Sequence, residues 1–290
     1  MDTKPISLFD KVKIWLFSQF AWRLIYRTAF TRLVFHHFSP LFFRNEVEVK
    51  PVLGQKLRLN PNRSVLEMKL TLLGVYEPEM VQYFRDNVKT GMTVVDIGAN
   101  IGVFSLIAAE LVGPSGKVIA YEPHPATYAE LCANIALNGH KNIIPVQCAI
   151  SAEAGSLQMA VCSDCDLNSV ALKADRGMIE VKCQTLDASL EELGVASCDL
   201  IKMDIEGAEW FAIRGMGKTL DSNPALRCLV ELHNPQIRSL GGDPEQLLDF
   251  FLQHGFKLYE LNMWRGLNPV SSAGQARIHG HLLCLRDKQA

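Results

Sequence analysis

The chain has 290 residues, of which 48% are hydrophobic and 21% are charged, and this composition excludes disordered, collagen-like and coiled-coil proteins. The formal net charge of −2 gives the whole chain no electrostatic basis for binding nucleic acid. No apolar run reaches the ~18 residues of a membrane-spanning helix, and no small-residue cleavage site marks a secretory signal, so we expect a cytoplasmic protein.

The first 44 residues form a segment rich in aromatic and basic side chains. They hold 11 of the 24 aromatic residues, and seven basic residues against two acidic ones. Their apolar spacing predicts a helical, amphipathic extension. Such a helix suits peripheral contact with a membrane surface or packing on the protein's own main domain, and the sequence leaves both open. The side chains at helical spacing are Leu8, Val12, Leu16, Phe20 and Leu24.

Two further patterns follow this segment. Residues 45–75 predict a small antiparallel hairpin or meander, because Pro51, Gly54 and Asn60-Pro61-Asn62 separate short apolar stretches. Residues 76–290 alternate between strand-like and helical patterns, which predicts one α/β domain with a mostly parallel sheet. The predicted strands are Thr93–Ile97, Lys117–Tyr121, Ile143–Cys148, Leu200–Met203, Cys228–Leu232 and a final antiparallel pair near 255–261 and 281–286.

One long stretch of this domain shows neither pattern clearly. Residues Gly155 to Cys183 are interpreted as a solvated loop, with an acceptor-shaping insertion as the alternative. Cys162 and Cys165 within it have the spacing of half a zinc site. Because no second pair follows at zinc-finger spacing, no residue is assigned to a structural metal.

A glycine-bearing turn follows the predicted strand Thr93–Ile97. Ligands of open α/β sheets bind beyond the carboxyl ends of strands, where glycine lets the backbone approach and a helix offers free N–H groups. The glycines here, Gly98 and Gly102, do not fit the dinucleotide pattern, and Asp96 before the turn would repel a phosphate. We therefore expect a ligand with positive charge, such as the sulfonium or ammonium of S-adenosylmethionine.

A second carboxylate, Glu122, ends the next predicted strand. An acid in this place accepts the two ribose hydroxyls of an adenosine cofactor. The alternative is that Asp96 and Glu122 only stabilise the positive ends of the following helices. Agreement between the acids, the glycines and the strand–helix–strand spacing favours the cofactor interpretation.

A third charged group surrounds the predicted strand Leu200–Met203. Lys202 must be paired if it is buried, and Asp204 and Glu206 are its nearest partners in sequence. The ends of adjacent strands face one crevice, so His233, at the end of the next strand, is expected beside them. A purely structural ion pair is the alternative.

Four motifs together resemble the FkbM family of class I methyltransferases. They are Asp96-Ile-Gly-Ala-Asn-Ile-Gly, Tyr121-Glu-Pro-His-Pro, the pair Asn134 and Asn138, and Ile201-Lys-Met-Asp-Ile-Glu-Gly-Ala-Glu209, within a match from about Tyr76 to Arg286. The resemblance implies a Rossmann-like fold with a mostly parallel seven-stranded sheet whose last strand is antiparallel, and S-adenosylmethionine as cofactor. It also implies the cofactor-binding residues, namely Asp96, Gly98, Asn100 and Gly102 at the methionine end, Glu122 at the ribose, and Glu77 closing over the cofactor.

The resemblance implies O-methylation, and we expect the acceptor to be a hydroxyl on a saccharide or glycolipid-like small molecule. A hydroxyl must lose its proton as it attacks, so His233, Asp204 and Glu206 are candidate bases, with Lys202 among the catalytic residues. A divalent cation held by Asp204, Glu206 and His233 is an open alternative. The competing function is a binding protein that retains the fold and docks on a membrane or partner. A dehydrogenase is disfavoured by Asp96 and the glycine spacing.

Overall fold

The computed structural model describes residues 48–52, 54–74, 76–161, 177–262, 266–271 and 279–286. The predicted helical extension over residues 1–44 lies outside these ranges, and so do Cys162 and Cys165. Among the helices that fall within these ranges, none has the length and apolar character needed to cross a bilayer.

The first elements of the described chain are a hairpin and a helix. Strands β1 (Glu48–Val52) and β2 (Gln55–Leu59) pair antiparallel, as the sequence predicts. Helix α1 (Val65–Leu73), which the sequence analysis did not expect, follows the hairpin. The Ser64 side chain caps this helix by accepting a hydrogen bond from the backbone N–H of Glu67 at 3.1 Å.

The rest of the chain alternates strands and helices. In chain order its elements are α2 (Pro78–Asn87), β3 (Thr93–Ile97), α3 (Val103–Val112), β4 (Lys117–Tyr121), α4 (Pro125–Asn138), β5 (Ile143–Val146), β6 (Ala149–Ile150), β7 (Gly155–Ala160), β8 (Met178–Gln184), α5 (Leu186–Glu192), β9 (Leu200–Met203), α6 (Glu209–Arg214), α7 (Gly217–Ser222), β10 (Arg227–His233), α8 (Asn234–Ser239), α9 (Pro244–Gln253), β11 (Lys257–Asn262), β12 (Gly266–Pro269) and β13 (His279–Leu285).

The main sheet has the strand order β12-β11-β13-β10-β9-β3-β4-β5. The five neighbouring strands β10, β9, β3, β4 and β5 run parallel to one another. Strand β13 lies between β10 and β11 and is antiparallel to both. This arrangement confirms the predicted Rossmann-like class I methyltransferase fold with an antiparallel last strand. Strand β12 adds an edge to the predicted seven, pairing antiparallel with β11.

A smaller sheet lies where the sequence was interpreted as a solvated loop. Strand β8 pairs parallel with β6 and antiparallel with β7. The loop interpretation is wrong for both of the longer strands, because Met159, Val181 and Cys183 are turned inward and buried. Alternation of buried and exposed side chains along β8 is the physical signature of a half-buried strand.

The hairpin packs on the main domain through two asparagines of α4. Asn138 bonds both backbone groups of Lys56, accepting from its N–H at 2.8 Å and donating to its carbonyl at 2.7 Å. Asn134 accepts from the N–H of Arg58 at 2.9 Å and donates to the carbonyl of Ile101 at 2.8 Å. The hairpin is therefore joined to the turn after β3, and Leu57 shares the core of the main domain.

Candidate active site

A cavity opens at the carboxyl ends of β3, β4 and β9. The space inside it, together with the open solvent at its mouth, amounts to about 1090 Å³. Predicted site residues at its wall are Gly98, Asn100, Glu122, Lys202, Asp204 and Glu206.

The turn after β3 is held in place by the end of β9. Gly98 has φ of 79°, and a Cβ there would lie 1.9 Å from the carbonyl oxygen of Asp204. Only glycine can occupy this position, since both the backbone angle and the space exclude a side chain. At Gly102, with φ of 95°, a Cβ would lie 2.7 Å from Leu131. Both glycines therefore serve close packing.

Asp96 lies behind this turn and does not line the cavity. Its carboxylate is 1% exposed, accepts a hydrogen bond from the Ser105 hydroxyl at 2.6 Å, and has its Oδ1 3.5 Å from the ammonium of Lys202. Adjacent strands β3 and β9 place Asp96 and Lys202 in register. The sequence analysis expected this charge to face the ligand directly, whereas Lys202 balances it. Its part in cofactor binding stays a prediction.

Glu122 lines the cavity at the end of β4. Its oxygens accept hydrogen bonds from the backbone N–H groups of His124 at 2.9 Å and Asn100 at 3.0 Å. Burial raises the pKa of Glu122 to about 7, although these hydrogen bonds oppose the shift. Each carboxylate oxygen can accept a further hydrogen bond. Glu122 therefore offers further acceptor capacity at the cavity wall, and its contact with a ribose stays a prediction.

Apolar side chains from the small sheet line the same cavity. The set includes Ile150, Leu157, Met159 and Val181. An apolar slot beside a carboxylate that can bind a ribose fits an adenosine cofactor, whose base needs apolar contact and whose sugar needs acceptors. The residues present thus fit S-adenosylmethionine.

Lys202 occupies the centre of the charged region. The residue is 3% exposed, and its ammonium donates to the carbonyl of Gly98 at 3.0 Å and lies 3.7 Å from Asp204 Oδ2. Burial alone would lower the pKa of Lys202, but Asp96 and Asp204 hold it above its usual value. Lys202 is therefore a charged residue that joins the glycine turn to the end of β9.

His233 lies at the end of β10, held by a buried carboxylate. Its Nδ1 lies 3.0 Å from Glu209 Oε1, and the same oxygen accepts a hydrogen bond from the N–H of Gly207 at 3.1 Å. Burial would lower the pKa of His233, but Glu209, Glu206 and Asp204 raise it to about 11. His233 thus holds a proton at neutral pH. The sequence analysis gave no role to Glu209.

Two clusters, each of two acids and a histidine, lie near the ends of these strands. The first cluster consists of Asp204, Glu206 and His233. The Nε2 of His233 lies 3.5 Å from Glu206 Oε2 and 4.0 Å from Asp204 Oδ1. Each side chain offers a ligand atom within 4.8 Å of the others. The structure thus brings the predicted catalytic residues together, in an arrangement that suits either proton transfer or a divalent cation.

The second cluster consists of Glu77, Glu231 and His281. The Nε2 of His281 lies 3.6 Å from Glu77 Oε2 and 3.8 Å from Glu231 Oε2. Burial would lower the pKa of His281, but the two carboxylates raise it to about 9. Glu77 was expected to close over the cofactor, yet it faces His281 and is absent from the cavity wall, which Tyr76 reaches instead.

The sequence analysis gave no role to His281. The residue lies opposite Glu231 in the antiparallel pairing of β10 and β13, so its place depends on a long-range register. No local motif marks it, because β13 meets β10 only through pairing between distant parts of the chain.

Comparison with known proteins gives a family and several relatives. Residues 96–258 match the family model described as the methyltransferase FkbM domain. The methyltransferase sdnD of Sordaria araneosa is 28% identical over 162 residues, which are 45% of this chain and 62% of that protein. The 31-O-demethyl-FK506 methyltransferase FkbM of Streptomyces tacrolimicus is 28% identical over 208 residues, 60% of this chain and 76% of that protein.

A third relative is the hexuronic acid methyltransferase AglP of Haloferax volcanii. It is 24% identical over 157 residues, which are 54% of this chain and 62% of that protein. The chain thus spans less than two thirds of the length of two of these three relatives.

Proposed function

The chain belongs to the FkbM family of methyltransferases, and from this we propose that it transfers a methyl group from S-adenosylmethionine to a hydroxyl of a saccharide or glycolipid-like molecule. One observation carries the proposal. The carboxylates of Asp204 and Glu206 line the same cavity as Glu122 and the Gly98 turn, so acids that can accept a proton lie beside a cofactor site. An oxygen acceptor is the kind that needs such groups.

The names of two relatives support the choice of acceptor. One acts on hexuronic acid and the other on 31-O-demethyl-FK506, and the second name specifies an oxygen. Carried to this chain, they favour a hydroxyl-rich substrate over an amine or thiol.

In the proposed mechanism, the residues of the chain bind, orient and accept a proton. Glu122 accepts hydrogen bonds from the ribose, and the Gly98 turn fixes the amino-acid portion. Bound S-adenosylmethionine supplies an electrophilic methyl group. Asp204 or Glu206 accepts the proton of the attacking hydroxyl, which is worth about 10² to 10⁴ in rate for a well-placed base.

His233 is better suited to holding these acids than to acting as the base. Its Nδ1 is engaged by Glu209 and its Nε2 faces the carboxylates of Asp204, Glu206 and Glu231, so it retains its proton. The first cluster could instead hold a divalent cation that polarises the hydroxyl. In that case chelation would abolish transfer and leave cofactor binding intact.

Calorimetry with S-adenosylhomocysteine and with NAD tests the cofactor. We expect binding of the former alone, and binding of NAD without S-adenosylhomocysteine would refute the proposal. Transfer of labelled methyl to a panel of saccharides, each paired with the deoxy form that lacks one hydroxyl, tests the acceptor. Label on the hydroxylated member alone is the expected result. Equal labelling of both members of every pair would show that none of the hydroxyls tested is the methyl acceptor.

A further inference from the structure

We propose that Glu77, Glu231 and His281 bind a divalent transition-metal cation. These residues come from the start of α2, from β10 and from β13, and each offers a ligand atom within 4.8 Å of the other two. None of the three is in the cavity wall. The site goes beyond the methyl transfer proposed above, since no step of that mechanism uses it.

The distances between the three side chains are close to those expected for ligands of one metal ion. The Nε2 of His281 stands 3.6 Å from Glu77 Oε2 and 3.8 Å from Glu231 Oε2. A charge-assisted hydrogen bond between such groups would close to about 2.7–2.9 Å. Ligand atoms about 2.1 Å from one ion lie about 3.0–3.5 Å apart, so a small inward movement would complete a metal site.

Two buried atoms of the cluster lack a hydrogen-bond partner among the described residues. They are His281 Nε2 and Glu77 Oε2, and both face the space between the three side chains. His281 is only 8% exposed, so water does not readily replace the missing partner. Buried polar atoms without partners are rare and call for a physical cause. A cation that replaces the proton on His281 Nε2 would lie between the two atoms and satisfy both.

The surroundings resemble the outer layer of a metal site. Glu79 Oε1 lies 3.9 Å from Nδ1 of His281, on the side away from the cluster. Histidines that bind metals usually offer their other ring nitrogen to a carboxylate, which fixes the orientation of the ring.

The ligand set identifies the kind of ion. Two carboxylates favour hard cations, while an imidazole favours the transition ions Mn²⁺, Fe²⁺ and Zn²⁺ over Mg²⁺ and Ca²⁺. Glu231 also connects this site to the first cluster, since its Oε1 lies 3.7 Å from Nε2 of His233. A cation here would offset the negative charge of the carboxylates in the two neighbouring clusters.

The test is a titration of the full chain, stripped with a chelator, with Mn²⁺ alone, followed by the electron paramagnetic resonance signal of free Mn²⁺. We expect wild-type protein to bind Mn²⁺, and His281→Gln and Glu77→Gln each to weaken binding at least tenfold, as loss of a ligand should. His254→Gln is the matched control, because His254 lies 3.8 Å from Asp221 outside both clusters. It should bind Mn²⁺ as wild type does.

Other outcomes would overturn the site. The first is that the wild type does not bind Mn²⁺. The second is that binding survives both His281→Gln and Glu77→Gln while Asp204→Asn removes it, which would locate the ion in the first cluster. Far-ultraviolet circular dichroism of the same samples reports folding, and binding of S-adenosylhomocysteine reports the cofactor site. If His281→Gln fails to fold, Glu77→Gln decides. Loss of cofactor binding by the wild type would instead refute the proposed function.

Discussion

The two ends of the site are built in different ways. At the cofactor end, the carboxylates of Asp96 and Glu122 each accept hydrogen bonds of 2.6–3.0 Å from a hydroxyl or from backbone N–H groups. At the acid–histidine end, formed by the two clusters, the contacts of His233 and His281 with the cluster acids are 3.5–4.0 Å long.

The difference concerns what each end needs in order to work. Hydrogen bonds to the backbone fix a carboxylate before any ligand arrives, and such preorganisation lowers the cost of binding. The acids of the two clusters lie 3.5–4.0 Å from His233 and His281, and a proton, a cation or a substrate can compensate their negative charge. The carboxylates of the cofactor end are thus fixed by hydrogen bonds in the folded chain, whereas the acids of the other end can respond to what they bind.

Substitution at the acid–histidine end should give the largest effect. We expect Asp204→Asn or Glu206→Gln to lower kcat by about 10²–10⁴, because the proton acceptor is lost, while affinity for S-adenosylhomocysteine stays unchanged. Methyl-transfer kinetics and calorimetry measure the two effects. Glu110→Gln, an exposed acid of α3, is the control. If both properties fell together, the two ends would not be separable.

Substitution of Gly98 should break the junction between the ends. A Cβ at position 98 would meet the backbone of Asp204, so Gly98→Ala should cost about 2–4 kcal/mol of the free energy of unfolding and abolish cofactor binding. Gly139→Ala is the matched control, since Gly139 also has positive φ but has open space around it, and about 1 kcal/mol is expected. Denaturant unfolding decides. Equal costs would mean that backbone angle alone matters.

The pKa of Glu122 should make the cofactor end sensitive to pH. Ribose hydroxyls donate to the ionised carboxylate, so affinity for S-adenosylhomocysteine should fall up to tenfold per pH unit below the pKa of about 7. Stability should respond in the opposite direction. Because the folded pKa exceeds the usual 4.5, the stabilising contribution of protonated Glu122 is complete below pH 4.5 and lost as pH rises through 7.

Calorimetry across pH and unfolding across pH measure these two dependences. Glu122→Gln should bind the cofactor weakly and without this pH dependence. A wild-type affinity that is flat between pH 5 and 8 would exclude Glu122 from the ribose contact.

The smallest effect is expected from removing residues 1–44. The proposal for this segment is peripheral membrane contact, since it combines aromatic and basic side chains. Deletion should leave cofactor affinity within about twofold and remove binding to vesicles that contain anionic lipid. Sedimentation with vesicles and calorimetry provide the measurements. A truncated chain that no longer folds would show instead that the segment packs on the domain that carries both ends of the site.

The cofactor end was the more predictable from sequence. Strands β3 and β4 and the acids Asp96 and Glu122 are signalled within short stretches, because Asp96 lies near the end of β3 and Glu122 directly follows β4. The orientation of Asp96 was not predictable, since which face of the strand it occupies depends on its register with Lys202 in β9.

The acid–histidine end depends on distant pairing. His281 meets Glu231 only because β13 inserts antiparallel beside β10, and Glu77 joins them from a helix about 200 residues earlier in the chain. Helix α1 was not predicted, because the turns at Pro51, Gly54 and Asn60-Pro61-Asn62 favour short strands, although Ser64 and Glu67 have the spacing of a helix start.

The position of Asn134 requires a particular hydrogen-bonding chemistry as well as a particular side-chain size. One amide joins the carbonyl of Ile101 to the N–H of Arg58, so the position needs one donor and one acceptor on a single short side chain. Aspartate has the same shape but no donor, and its oxygen would face the Ile101 carbonyl in a buried setting. Conversion of this one amide to an acid, by mutation or by chemical ageing, would thus separate the hairpin from the loop that receives the cofactor.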